Sequence, residues 1–251
     1  MVDKLGGAGA VASGCGHRAP DSDRARFDAV LFDCDGVLVD SEPITNGVLR
    51  DMLGELGWRL SVAECMRLFV GKAVKDEVAI IERHTGRALT EDWLIDFRER
   101  RNAALQAGLK AIDNVHAAVH AIHAQHGEQI ACASGADRFK VVLQLRKVGL
   151  LDYFGERIFS GYEVSRSKPF PDVYLAAAAA LGVHPARCAV VEDTVTGVAA
   201  GVAAGATVFG YCPASAVADS AQALLQAGAL ELFADMAHLP GLLQRSAHRP
   251  Q

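Results

Sequence analysis

Asp33 and Asp35 stand two residues apart at the end of an apolar run, Ala29-Val30-Leu31-Phe32, with Gly36 directly behind them. Burying a β-rich segment and placing two acids at its tip is costly unless something cationic meets them. In an open α/β sheet the carboxyl ends of the strands are where ligands bind. Residues two apart in extended chain share a face, so both carboxylates can face one bound group while Cys34 turns inward. One acid could attack an electrophile while the other handles protons. A solvated turn would also carry Asp-x-Asp-Gly, and the tetrapeptide alone leaves both readings open.

The pattern recurs. Glu192 and Asp193 follow the apolar run Ala189-Val190-Val191 and precede Thr194, which can cap a following helix. An acid pair at a helix N-terminus is favoured by the helix dipole, yet two strands ending in acids imply up to four clustered carboxylates. Such a cluster repels itself without a cation, and an all-oxygen donor set with open positions suits Mg2+. Ser134 and Gly135 follow the run Gln129–Ala133 and offer a hydroxyl and backbone N–H groups at a strand-to-helix turn, an anion-binding arrangement or an ordinary cap. Lys168 lies between Ser167 and Pro169, with Pro171 two residues beyond; a lysine on so stiff a loop can neutralise a phosphate or simply face solvent.

These residues need strands and helices to carry them. The spacing predicts a buried strand over 28–33, then helical patterns over 43–57, 61–69, 73–85 and 91–107, about 70 residues without a strand. Lys110 to Asn114 reads as a linker. Helices at 116–126, 137–148, 171–181, 195–204, 216–226 and 236–243 then alternate with strands at 129–133, 157–160, 188–191, 206–209 and 230–233. That alternation predicts an α/β fold with a parallel sheet covered on both faces. The helical block, inserted at the end of the first strand, would lie over the site as a lid.

Bulk properties exclude several classes. The 251 residues are 51% hydrophobic and 22% charged, which supports a packed core, and a net charge of −5 gives no general attraction for nucleic acid or anionic lipid. Residues 1–26 have no apolar core of a signal peptide and read as a flexible tail outside the fold. Six cysteines (15, 34, 65, 132, 188 and 212) show no metal-ligand spacing and suit reduced thiols of a cytoplasmic protein. Gly197, Gly201 and Gly205, spaced by four in a segment free of charge, could suggest packed membrane helices. The segment is too rich in Ala and Gly to insert, so a short helix packed closely on a sheet is expected. His116, His120, His123 and His126 fall along one helix, where an exposed face explains them better than a zinc stripe, since tetrahedral sites draw on more than one element.

Taken in chain order, Asp-x-Asp-Gly, a serine at a strand end, Lys-Pro, and Glu-Asp before a glycine-rich helix resemble the haloacid dehalogenase-like (HAD-like) superfamily of phosphohydrolases over about residues 27–245. The resemblance implies a Rossmann-like parallel-sheet core over 27–41 and 112–246 with an α-helical cap over 42–111. It implies that Asp33 is a nucleophile forming an aspartyl-phosphate, and that Asp35 protonates the leaving alcohol and then activates water. It also implies that Ser134, Gly135 and Lys168 hold the phosphoryl group. Mg2+ would be held by Asp33, the backbone carbonyl of Asp35 and Asp193, with Glu192 in support or direct contact.

Within the superfamily the chain is similar to the β-phosphoglucomutase-like and sugar-phosphate phosphatase branch. The segment Phe159-Ser-Gly-Tyr-Glu-Val-Ser-Arg-Ser-Lys-Pro resembles bacterial 6-phosphogluconate phosphatases. The mutases carry a histidine where this chain has Thr45 and a phosphate-gripping base where it has Val74, and both departures favour hydrolysis. Lys72, Lys75 and Arg101 of the cap are the candidates to meet a substrate carboxylate or phosphate. The expectation is a cytoplasmic Mg2+-dependent phosphatase of a small phosphorylated sugar or sugar acid, a monomer or weak homodimer with no nucleic-acid or membrane partner. A phosphosugar mutase, a metal-free dehalogenase and an inactive binding module are the competing readings.

Overall fold

The computed structural model describes residues 27–213 and 220–246. The expected tail at 1–26, Cys15 and the start of the helix expected at 216–226 lie outside the described residues. Six strands form one parallel sheet: β1 (Ala29–Phe32), β2 (Ile130–Ser134), β3 (Ile158–Ser160), β4 (Cys188–Glu192), β5 (Thr207–Tyr211) and β6 (Glu231–Phe233), in the order β3-β2-β1-β4-β5-β6. The strand β1 lies in the middle of the sheet, and the winding reverses between β3 and β4. The reversal puts β1, β2 and β4 side by side, with Phe32 opposite both Cys132 and Val191.

These central strands are buried on both sides, and their alternation sorts side chains into two layers. Val30, Phe32, Ile130, Cys132, Ala189 and Val191 join one cluster, which also holds residues of α5 (Val115–His126), α6 (Arg138–Lys147) and α11 (Leu239–Ser246). Ala29, Leu31, Ala131, Ala133, Cys188 and Val190 join the other, with α8 (Asp172–Ala180), α9 (Val195–Ala203) and α10 (Ala221–Gln226). The stripe of small residues does what close packing requires. A Cβ on Gly201 of α9 would lie 2.7 Å from Val208 Cγ2 of β5, and Gly205 ends the helix turn with φ +84°. Among the described residues no helix is long and apolar enough to cross a membrane.

Between β1 and α5 run α1 (Glu42–Glu55), α2 (Val62–Phe69), α3 (Val78–Thr85) and α4 (Glu91–Gly108). They bury a cluster of their own around Leu49, Met52, Leu53, Phe69, Ile81 and Phe97. Ser61 opens α2 with a reciprocal capping box to Glu64. The helix expected over 73–85 is two pieces, a short 3-10 turn at Val74–Asp76 and α3, because Glu77 (φ −103°, ψ 9°) departs from helical geometry. The segment leaving the sheet and the segment returning to it meet: Val39 bridges Ala111, and Asp40 N donates to Lys110 O. One further element, α7 (Leu151–Phe154), is a single turn with no periodicity to announce it.

Candidate active site

The carboxyl ends of β1, β2 and β4 face a cleft of about 380 Å³, closed on its other side by the segment 71–77 and by α4. Asp33 follows the last residue of β1, and its backbone N–H continues the ladder to Val191 O. Gly36 turns the chain at φ +77°, and a Cβ there would lie 2.0 Å from Asp193 Oδ2. Only glycine lets the first acidic loop approach the second so closely.

Lys168 is the hub of the floor. Its Nζ lies 2.5 Å from Asp33 Oδ1 and 2.6 Å from Glu192 Oε1. Burial opposes its charge, but Asp33 and Glu192 keep the ammonium protonated. Glu192 is wholly buried and fully engaged: Tyr174 OH also donates to Oε1, while Oε2 accepts the backbone N–H groups of Asp193 and Thr194 and the Thr194 hydroxyl. A Cβ on Gly197 would fall 1.8 Å from Glu192 Oε1, so the first turn of α9 is shaped around this carboxylate. Glu192 is thus built to hold Lys168.

Asp193 differs. It is buried, and its Oδ1 has no partner among the described residues. Burial, then Glu192, Asp33 and Glu42, push its carboxyl well above the usual range. Burial likewise pushes Asp33 up to about 7, against the pull of Lys168. Oxygens of Asp33, Glu192 and Asp193 lie within 4.8 Å of one another. Clustered hard donors, one of them buried and unpartnered, are a set that a small divalent cation such as Mg2+ fits.

The second acid of the loop finds its cation within the chain. Asp35 Oδ1 accepts from Lys140 Nζ at 2.8 Å, from Gln144 Nε2 at 2.8 Å, and from Ser41 Oγ. Burial opposes the anion, but Lys140 and these hydrogen bonds bring the carboxyl down to about 2. Sequence reasoning missed Lys140, Gln144 and Tyr174. The available signal was a lysine and a glutamine four apart on the face of α6 that also carries Val141 and Leu145.

Ser134 ends β2, buried, with its Oγ accepting the N–H of Ala136, and Gly135 lies beside it on the cleft. Of the cations carried by residues 42–111, Lys72, Lys75, Arg98 and Arg101 all line the cleft. Lys72 stands 3.6 Å from Glu77, and Lys75 lies 3.8 Å over the ring of Tyr162. Arg101 is tied across to the core, its Nη2 3.1 Å from Asp137 Oδ2. Thr45 and Val74 also line the cleft, and the Thr45 hydroxyl is buried without a partner among the described residues. The histidines of α5 stay apart from this site: His116 meets Val148 O, and His120 and His123 pack on Tyr153.

Glu42, at the start of α1, spans the cleft edge, accepting from Asn46 Nδ2 and from the N–H of Gly71. Burial and Asp35 push its carboxyl up from 4.5 to about 7. Folding therefore favours the protonated form: this contribution to stability is complete below about 4.5 and is lost as pH rises through about 7. Glu42→Gln should accordingly gain on the wild type as pH rises across that window, read as denaturant midpoints of both proteins at several pH values in chelator. A difference between the two that does not move with pH would contradict this.

Comparison with known proteins agrees with this geometry. A family model described as haloacid dehalogenase-like hydrolase matches residues 27–205. The chain is 33% identical over 189 residues to the 6-phosphogluconate phosphatase of Escherichia coli (strain K12), covering 75% of this chain and 84% of that protein. It is 28% identical to the fructose-1-phosphate phosphatase of the same organism, covering 72% and 94%. A crystal structure of a HAD family hydrolase from Deinococcus radiodurans R1, with bound phosphate and sodium, superposes with a TM-score of 0.72 at 38% identity, covering 91% of this chain and all of that one.

Proposed function

We propose that this chain, which belongs to the haloacid dehalogenase-like hydrolase family, is a Mg2+-dependent phosphatase that hydrolyses a small phosphorylated sugar or sugar acid through an aspartyl-phosphate. It is an enzyme, a hydrolase whose named relatives include sugar-phosphate phosphatases. The observation that carries the finer reading is the cleft floor, where the buried Asp33 carboxylate meets the Lys168 ammonium beside the unpartnered oxygen of Asp193.

On this reading Asp33 attacks phosphorus and the ester oxygen leaves, so a carboxylate–phosphorus bond forms as the phosphorus–alkoxide bond breaks. Lys168, the Ser134 hydroxyl and the N–H of Gly135 hold the phosphoryl oxygens and offset their charge. Asp35 gives a proton to the departing alkoxide and then takes one from the water that displaces Asp33. The entering phosphate opposes the anionic charge on Asp35 and so favours the protonated form that the first step needs. Asp33, the backbone carbonyl of Asp35 and Asp193 would hold Mg2+, with Glu192 supporting through Lys168; the ion would supply positive charge that offsets the repulsion of an attacking carboxylate and an anionic phosphate. The helices of 42–111 act as the cap, and Lys72, Lys75 and Arg101 stand where a second anionic group of the substrate, such as the carboxylate of a sugar acid, would lie. Thr45 and Val74, in place of the mutase histidine and base, favour hydrolysis over isomerisation.

Phosphate release from a panel of phosphosugars, phosphosugar acids and phosphoglycolate tests this. Release with Mg2+, stopped by chelator and restored by excess Mg2+, is expected. Isomerisation of a sugar phosphate faster than its hydrolysis, or no release from any member, would overturn it.

A further inference from the structure

Asp35 is held asymmetrically. Ser41, Lys140 and Gln144 all donate to Oδ1, and no bond to Oδ2 is found among the described residues. Lys140 and Gln144 are buried, at 7% and 0% exposure, where an uncompensated polar group would be costly. Each is itself held. The Gln144 amide is oriented by Cys34, whose Sγ donates to Oε1 at 3.5 Å and so leaves Nε2 for Asp35. Lys140 sits in the first turn of α6, and its backbone N–H bonds Asp137 Oδ1 at 2.9 Å. The other oxygen of Asp137 takes Arg101 of α4, which fixes the start of α6 against the cap.

We propose that Lys140, with Gln144 beside it, is a positioning residue for Asp35: it occupies Oδ1 and leaves Oδ2 as the oxygen that meets the leaving group and then water. A carboxylate with both oxygens free would rotate, whereas three donors on one oxygen fix the plane and aim the other. The arrangement rests on the phosphatase reading of the site. A lysine on the cleft wall could instead grip phosphate, but Lys140 Nζ is buried against Asp35 Oδ1 at 2.8 Å, and Lys168 supplies the cation at Asp33.

The test compares leaving groups. Proton donation matters for a sugar alkoxide and hardly at all for 4-nitrophenolate, a good leaving group. Lys140→Met should therefore lower kcat/KM for a sugar phosphate by about 100-fold, and for 4-nitrophenyl phosphate by less than about threefold. Lys140→Arg should recover part of the loss. The ratio of the two substrates on one sample does not depend on how much of the variant is folded. Equal losses on both substrates, as phosphate gripping or a purely structural role would give, overturn the proposal, and so does an unchanged rate with the sugar phosphate. A wild type that hydrolyses neither substrate overturns the phosphatase reading and this one with it. A wild type that hydrolyses both, with a variant of unchanged ratio, overturns the role of Lys140 alone.

Discussion

Asp33→Asn should lower phosphate release by about 10⁴-fold or more, the scale of losing a covalent nucleophile. Asparagine keeps the shape of the side chain and removes its charge and its capacity to attack phosphorus. The variant should fold at least as well as the wild type. Burial, then the neighbouring Glu192 and Asp35, push the Asp33 carboxyl up to about 7 against the pull of Lys168, so neutralising it removes a desolvation cost and relieves repulsion, while Lys168 keeps Glu192 as partner. Substrate should still bind, because Lys168, Ser134 and Gly135 are untouched. Activity and equilibrium binding measured on one preparation check the claim; an Asp33→Asn protein retaining a few per cent of wild-type turnover would contradict it.

Lys168→Met should show the opposite division, losing stability as well as activity. The ammonium is the shared partner of two buried carboxylates, with lysine, Asp33 and Glu192 side chains at 8%, 8% and 1% exposure. Removing one member of a buried pair leaves uncompensated charge and costs about 3–5 kcal/mol. Here the remaining hydrogen bonds from Tyr174, Asp193 and Thr194 still support Glu192, so Asp33 suffers most. Urea unfolding should show the shift, and phosphate release should fall by at least about 100-fold as the charge facing the phosphoryl oxygens disappears. An unchanged urea midpoint would show that the carboxylates do not depend on Lys168.

The order of elements was legible because each central strand is short, apolar and bounded by turn residues, and because the strands alternate with helices. Asp33, Glu192, Asp193 and Ser134 were legible for the same reason, since they sit at or just past strand ends. The need of the first acids for a cation was also legible, but its two solutions were not. Asp35 is satisfied by Lys140, which in sequence is one more polar residue on an amphipathic helix; tertiary packing makes it buried. Glu192 resembled Asp193 in sequence, yet the approach of Gly197 and the reach of Tyr174 turn it toward Lys168, leaving Asp193 as the acid with an open oxygen. Such differences arise from contacts between residues far apart in the chain, which periodicity cannot report. Local backbone decided the smaller misses: Glu77 breaks one expected helix, and α7 is too short for any pattern.

The most direct test of the central claim is the mass of the peptide carrying Asp33, taken from rapidly acid-quenched enzyme through the first turnover of a sugar phosphate with Mg2+. One phosphoryl group should appear on Asp33 and decay as free phosphate accumulates. Full release of phosphate in that turnover with Asp33 unmodified at every time point, or with the phosphoryl group on another residue, would contradict the account.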